Sequence, residues 1–221
     1  MTTTELRIAV QEGGAVSARL DEGAPPGEWL LVYAPGAGSN IDDPFGAFAA
    51  ARLPSEGVDV LRFQFPYQEA GKRRPDANAV LEGAWRAALD TATALAGRRR
   101  IVAGGRSMGG RTASQVVAAG AAADALALFA YPLHQPGRPE RPRDAHLAAV
   151  RVPTLFCSGT RDAFASPDEL RAAAAKAPRG AVHLLAGADH GFAVPRSSGR
   201  TRADVWSEAC DAMVQFLGTL A

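Results

Sequence analysis

Three residues carry types and spacing that point to chemistry: Ser107, Asp162 and His190. Ser107 stands in Gly104-Gly105-Arg106-Ser107-Met108-Gly109-Gly110-Arg111, behind the apolar run Ile101-Val102-Ala103 and ahead of a helical pattern expected over about Gly109 to Ala122. A serine at the apex of a sharp strand-to-helix turn sits in a strained backbone conformation. Gly105 and Gly109 stand where a Cβ would collide with the neighbouring strand and helix. Such a turn pushes the hydroxyl into a cleft and aims the positive end of the following helix at it. It also leaves the Met108 N–H for a developing oxyanion. Ser107 therefore reads as a nucleophile, against the plain alternative of a glycine-rich turn with no chemistry. A phosphate cradle is disfavoured, because the Walker lysine is missing and Gly104-Gly105-Arg106-Ser107 is a poor dinucleotide fingerprint.

His190, in Ala186-Gly187-Ala188-Asp189-His190-Gly191-Phe192, can take a proton from Ser107 and return it to a leaving group, since an imidazole titrates near working pH. Asp162, in Gly159-Thr160-Arg161-Asp162, can fix the ring tautomer and stabilise its protonated form. Asp168 and Asp189 are rivals for that acid role. Asp168 already reads as first-turn helix chemistry, and Asp189 adjoins His190 too closely to reach round its ring, so Asp162 is preferred. The turn Gly36-Ala37-Gly38 lets backbone approach a substrate, and the Ala37 N–H is the expected second oxyanion donor beside Met108.

Positioning these loops requires strands that end together. Trp29-Leu30-Leu31-Val32-Tyr33 is continuous and apolar, as a strand buried on both faces should be, and Val58 to Phe65, Ala125 to Tyr131, Pro153 to Ser158 and Val182 to Leu185 continue the series. Helices are expected over Pro44 to Leu53, Ala77 to Ala96 with Asp76 as cap, Ser166 to Ala177 and Arg202 to Leu220. The long one carries a stripe of Val80, Leu81, Ala84, Ala88, Leu89, Ala92 and Leu95. Leu6 to Leu20 reads as a hairpin about Glu12-Gly13-Gly14, and Pro66 to Pro75 as a loop. The alternation implies an α/β fold: a mainly parallel sheet with helices on both faces, an antiparallel N-terminal hairpin, and ligands beyond the strands' carboxyl ends. Gly36–Gly38, Ser107, Asp162 and His190 all fall there.

The chain has 221 residues, 47% apolar, with 24 basic and 23 acidic side chains. That length suits one domain over residues 1–221, and the balanced charge makes no case for nucleic acid or a membrane surface. With no signal-like N-terminus and no long apolar run, the expectation is a cytoplasmic monomer or homodimer. Cys157 and Cys210 are expected as reduced core residues. The four histidines show no ligand spacing, so neither metal nor cofactor is expected.

The chain order Ser, Asp, His matches a serine triad built on an α/β-hydrolase sheet. Further segments sharpen this: Tyr131-Pro132-Leu133-His134-x-Pro136, Arg143-x-x-His146-Leu147 and Val152-Pro153-Thr154-Leu155-Phe156-x-Ser158-Gly159-x-x-Asp162. Together with the serine turn they resemble the dienelactone-hydrolase-like α/β-hydrolases. The likeness runs from Leu30 onward and is narrowest to the branch that includes testis-expressed protein 30 and the hydrolase-like part of non-specific lethal complex subunit 3. The resemblance implies Ser107 as nucleophile, Asp162 as acid and His190 as base. One departure is Pro35, where relatives commonly carry a histidine before the glycine turn.

A short Pro/Arg-rich flap, 134–148, replaces any large cap. His134 and His146 either line the cleft or anchor that flap by hydrogen bonds. Gly36, Gly38, Arg106 and His134 are the candidate substrate contacts. Arg106 and Arg111, with the Lys72-Arg73-Arg74 loop, either favour a carboxylate-bearing substrate or pair with internal carboxylates. Two functional classes follow: a serine hydrolase of a small ester or thioester, or a catalytically silent scaffold that keeps the fold.

Overall fold

The computed structural model describes residues 1–11, 14–177 and 179–220. One eight-stranded sheet runs through them, in the order β1-β2-β4-β3-β5-β6-β7-β8. Its strands are β1 (Thr2–Val10), β2 (Gly14–Glu22), β3 (Trp29–Ala34), β4 (Val58–Phe63), β5 (Arg100–Arg106), β6 (Ala125–Phe129), β7 (Thr154–Gly159) and β8 (Gly180–Leu185). β1 pairs antiparallel with β2, and β2 with β4; the remaining pairings are parallel. The hairpin is longer than expected, and the expected turn at Glu12-Gly13 lies outside the described residues.

Residues alternate between the faces of each strand. Leu30, Val32 and Ala34 of β3 join one core, while Trp29, Leu31 and Tyr33 join the other. The first core is covered by α3 (Asn78–Ala96), α4 (Met108–Ala118) and α5 (Pro167–Ala174), the second by α1 (Pro44–Arg52) and α6 (Arg202–Gly218). Leu81, Ala84, Trp85, Ala88, Leu89, Ala92 and Ala96 form the buried stripe of α3. Val80 and Leu95 flank that stripe, only partly buried.

Several expected boundaries move. The helix after Ser107 stops at Ala118, because Gly120 turns left-handed at φ 93° and ends the ladder. Asp76 does not cap α3: Ala77 holds the cap position without a side-chain hydrogen bond. The expected loop after β4 contains a short helix, α2 (Pro66–Glu69). Elsewhere local chemistry acts as read. Ser166 and Glu169 form a reciprocal capping box at α5.

Because β3 lies between β4 and β5, the chain leaves β4, crosses back over β3 and enters β5. This is the topological switch where an open parallel sheet parts its loops and leaves a crevice. The loop after β3 and the turn after β5 face each other there.

Candidate active site

Ser107 adopts φ 51° and ψ −118°, a region that costs a non-glycine residue roughly 1–3 kcal/mol. The surroundings enforce it. The Ser107 N–H donates to Phe129 O at 2.8 Å, and Arg111 N donates to Ser107 O at 3.0 Å. A Cβ on Gly105 or Gly109 would run into the Ala34 carbonyl, well inside van der Waals contact. β3, β5 and α4 thus meet backbone to backbone at this turn. Trp85, fully buried, donates its indole N–H to Gly109 O at 3.0 Å and ties α3 to the same point.

The structure brings the three expected side chains together. Ser107 Oγ lies 2.9 Å from His190 Nε2, and His190 Nδ1 lies 2.9 and 3.0 Å from the two Asp162 oxygens. The Asp162 side chain is fully buried and also accepts the Phe164 N–H at 2.8 Å. Both rivals are engaged elsewhere: Asp189 accepts the amides of Gly191 and Ala193 in its own turn, and Asp168 pairs with Arg171 on the surface. Phe164 stacks on the His190 ring, centroids 4.0 Å apart. Neither periodicity nor motif singles out Phe164. Only its place two residues after Asp162 hints at the contact.

Gly36 lies against Ser107, since a Cβ there would sit 3.6 Å from Ser107 Cβ. Ala37 and Gly38 are exposed beside it. Among the described residues neither Ala37 N–H nor Met108 N–H donates to a protein acceptor, so both remain available. The loop is braced from α2, which sequence reasoning missed. Tyr67 donates its hydroxyl to Ala37 O at 2.8 Å, and Gln68 Nε2 donates to Gly36 O at 3.2 Å and to Ser39 O. Burial pushes the Tyr67 phenol up to about 12, with the Gln68 contact opposing and Asp76 adding to the shift, so it stays a donor. Glu69 fastens α2 to the sheet by accepting from Ser17 N, Gln64 and Arg7. Desolvation would raise the Glu69 pKa, but these bonds override it and hold the carboxyl at about 2. Pro66 at a helix start with Gln68 closing on Phe65 N at 2.8 Å is the one local signal of this brace.

The other expected contacts fall differently. Arg106 reaches Asp43 at 3.3 Å; Asp43 in turn accepts from Tyr33 Oη and caps α1 through Gly46 N. Arg106 is thus tied to an internal carboxylate. His134, a candidate substrate contact, is 6% exposed with its ring nitrogens turned to Gln135 O and Glu169, so it anchors the flap instead. His146 does likewise against Ser114 Oγ at 2.8 Å. Lys72 and Arg73 line a cavity of about 570 Å3 shared with Ala37, Gly38, Ser39 and Tyr67. A cavity of about 650 Å3 at the opposite ends of the strands, by Gly23–Trp29 and Pro54–Val58, has no such chemistry. Burial raises the Cys157 thiol pKa and pushes that of Cys210 up to about 12, which leaves both inert. Among the described residues no three His, Cys, Asp or Glu side chains are grouped to hold a metal ion, and no helix is long and apolar enough to cross a membrane.

A parallel sheet with an antiparallel hairpin at one edge and a strained serine between β5 and α4 defines the α/β-hydrolase class. The chain belongs to the alpha/beta hydrolase domain family, whose model matches residues 27–218. Solved structures agree on the fold. Dienelactone hydrolase from Anabaena variabilis superposes with a TM-score of 0.76 at 16% identity, over 99% of this chain and 97% of that one. Est1E from Butyrivibrio proteoclasticus gives 0.75 at 14% identity, covering 97% of this chain and 99% of that one. XC6422 from Xanthomonas campestris, named an α/β serine hydrolase without lid, gives 0.72 at 16% identity over 95% and 92%.

Proposed function

We propose that this chain is a serine hydrolase that cleaves a small ester or thioester through an acyl-enzyme on Ser107. The observation that carries this reading is the continuous hydrogen-bonded line Ser107–His190–Asp162 at 2.9–3.0 Å. With Nδ1–H donated to Asp162, His190 presents a bare Nε2 to the Ser107 hydroxyl. Ser107 Oγ attacks the carbonyl carbon as its proton passes to Nε2, and the carbonyl oxygen becomes an oxyanion. The Met108 and Ala37 amides donate to that oxygen; losing one such donor typically costs on the order of 100- to 1000-fold in turnover. His190 then gives its proton to the departing alkoxide or thiolate. A water repeats the sequence on the acyl-enzyme and releases the acid.

The stacked Phe164 and the buried Asp162 keep the ring in the plane this transfer needs. A scaffold that only kept the fold would have no use for a strained serine or for two unpaired amides beside it. Treating the protein with a fluorophosphonate and weighing it intact tests the reading. One adduct is expected on wild type, none on Ser107→Ala, and strongly slowed labelling on His190→Ala. A folded wild type that stays unlabelled would overturn the reading in favour of the scaffold.

A further inference from the structure

The flap after β6 carries charge that the proposed mechanism does not use. Gln135, Arg138, Arg141 and Arg143 line a pocket of about 390 Å3. Arg141 lies 3.8 Å from the exposed Glu140, while Asp144 is spent on Lys176 at 2.7 Å. Among the described residues no carboxylate stands within ion-pair distance of Arg138 or Arg143.

Arg111 shares the electrostatic environment of Arg143. It sits four residues, or about 6 Å of helix rise, beyond Ser107. Its Nε is buried without a hydrogen-bond partner, and a terminal nitrogen reaches only the neutral Gln115 at 3.1 Å. Burial and the charge of Arg143 lower the Arg111 pKa, outweighing the opposing pull of Tyr131 and Glu82. Crowding guanidiniums costs free energy unless a counter-charge offsets it. With a net charge of +1 over the whole chain, this is a local asymmetry.

The side on which the pocket lies matters. The Ala37 loop follows β3 on one flank of Ser107, whereas the flap follows β6 on the other. His190, which follows β8, is on the flap's flank too. In the proposed mechanism the leaving group receives its proton from His190, on that same flank. Resting on the hydrolase reading, we infer that the flap pocket takes a phosphate group carried by the leaving-group portion of the substrate. Several planar forks around one pocket suit the oxygens and double charge of a phosphate, where a lone carboxylate engages one fork or two.

Inorganic pyrophosphate titrated calorimetrically into the full chain at fixed ionic strength reads the pocket directly. Saturable binding is expected, weakened roughly tenfold or more in Arg138→Ala/Arg141→Ala and in Arg143→Ala. Arg138 and Arg141 are exposed loop side chains, so the double variant keeps its fold. No binding, or equal binding in the variants, overturns the site. A second arm compares acetyl-coenzyme A with acetyl-pantetheine as protectants of Ser107 against the fluorophosphonate. The phosphate-bearing thioester is expected to protect at roughly tenfold lower concentration, a gap that the double variant erases. Pyrophosphate binding without that gap would assign the pocket to a free anion and overturn its link to the substrate. If Ser107 is never labelled, the hydrolase reading and the leaving-group assignment fail together, while the titration still decides the pocket.

Discussion

The two proposed oxyanion donors are held by different means. Met108 follows a turn clamped by backbone: Gly105 and Gly109 let β3 and α4 close on it, and Phe129 O takes the Ser107 amide. Ala37 stands on an exposed loop whose carbonyls are held by the side chains of Tyr67 and Gln68. Backbone packing of the first kind has no soft degree of freedom, because any added atom meets a main chain that cannot move. Side-chain bracing of the second kind is adjustable, and it is only as firm as the small helix that carries it. The lesson is that one half of the site should fail abruptly under substitution and the other by degrees.

Breaking the clamped half gives the largest effects. Ser107→Ala should remove labelling and lower turnover by about 10^4-fold or more while the fold survives. Gly105→Ala should fail as a structure, since its new methyl meets the Ala34 main chain at a φ of 153°. A loss of about 2–4 kcal/mol is expected, visible as a lowered urea midpoint; an unchanged midpoint would show that the clamp is softer than it looks.

The braced half should respond more gently. Gln68→Ala should lower kcat roughly tenfold with little change in melting temperature, because a displaced donor retains part of its effect. Tyr67→Phe, which removes one hydroxyl, should cost about threefold by the same reasoning, as steady-state kinetics would show. Equal effects from Gln68→Ala and Gly105→Ala would erase the contrast between the halves.

The smallest effect is pH-dependent and lies in the anchor of α2. Glu69 titrates at about 2 when folded against an ordinary 4.5. The unfolded chain therefore binds the proton more readily, so the stabilisation is complete above about pH 4.5 and drains away as pH falls toward 2. With its side chain 24% exposed, solvent screens the contribution. Urea midpoints of wild type and Glu69→Gln should differ modestly at pH 7 and converge by about pH 2. A gap that persists in acid would mean that the carboxylate's charge is not what holds α2.

The same contrast explains what could be read in advance. The serine turn was legible because glycines mark backbone contact without needing a partner's identity, and the alternation of apolar strands with helices led to the sheet. Asp162 was preferred over Asp168 and Asp189 from chain position, and it is the one of the three that lies against His190 Nδ1. The brace was not legible, since a helix of four residues has no period to detect and Gln68 finds its acceptors about 30 residues away. Asp76 misled as a cap because its type and place were right while the observed helix begins one residue beyond the expected start. His134 and Arg106 were named as contacts from their place near the site. Which way each side chain turned depended on Glu169 and Asp43, partners 35 and 63 residues distant.

By itself the sequence determined the order of the strands and longer helices, the serine turn, the aspartate and histidine that come to stand beside it, and the strand ends where they gather. Those depend on short-range sterics and on hydrophobic periodicity, which are written locally. Only the tertiary structure decided which amides stay free, what steadies the Ala37 loop, and that among the described residues Arg138 and Arg143 of the flap meet no carboxylate. Each of these is a property of groups distant in sequence, and it exists only once the sheet has set them side by side.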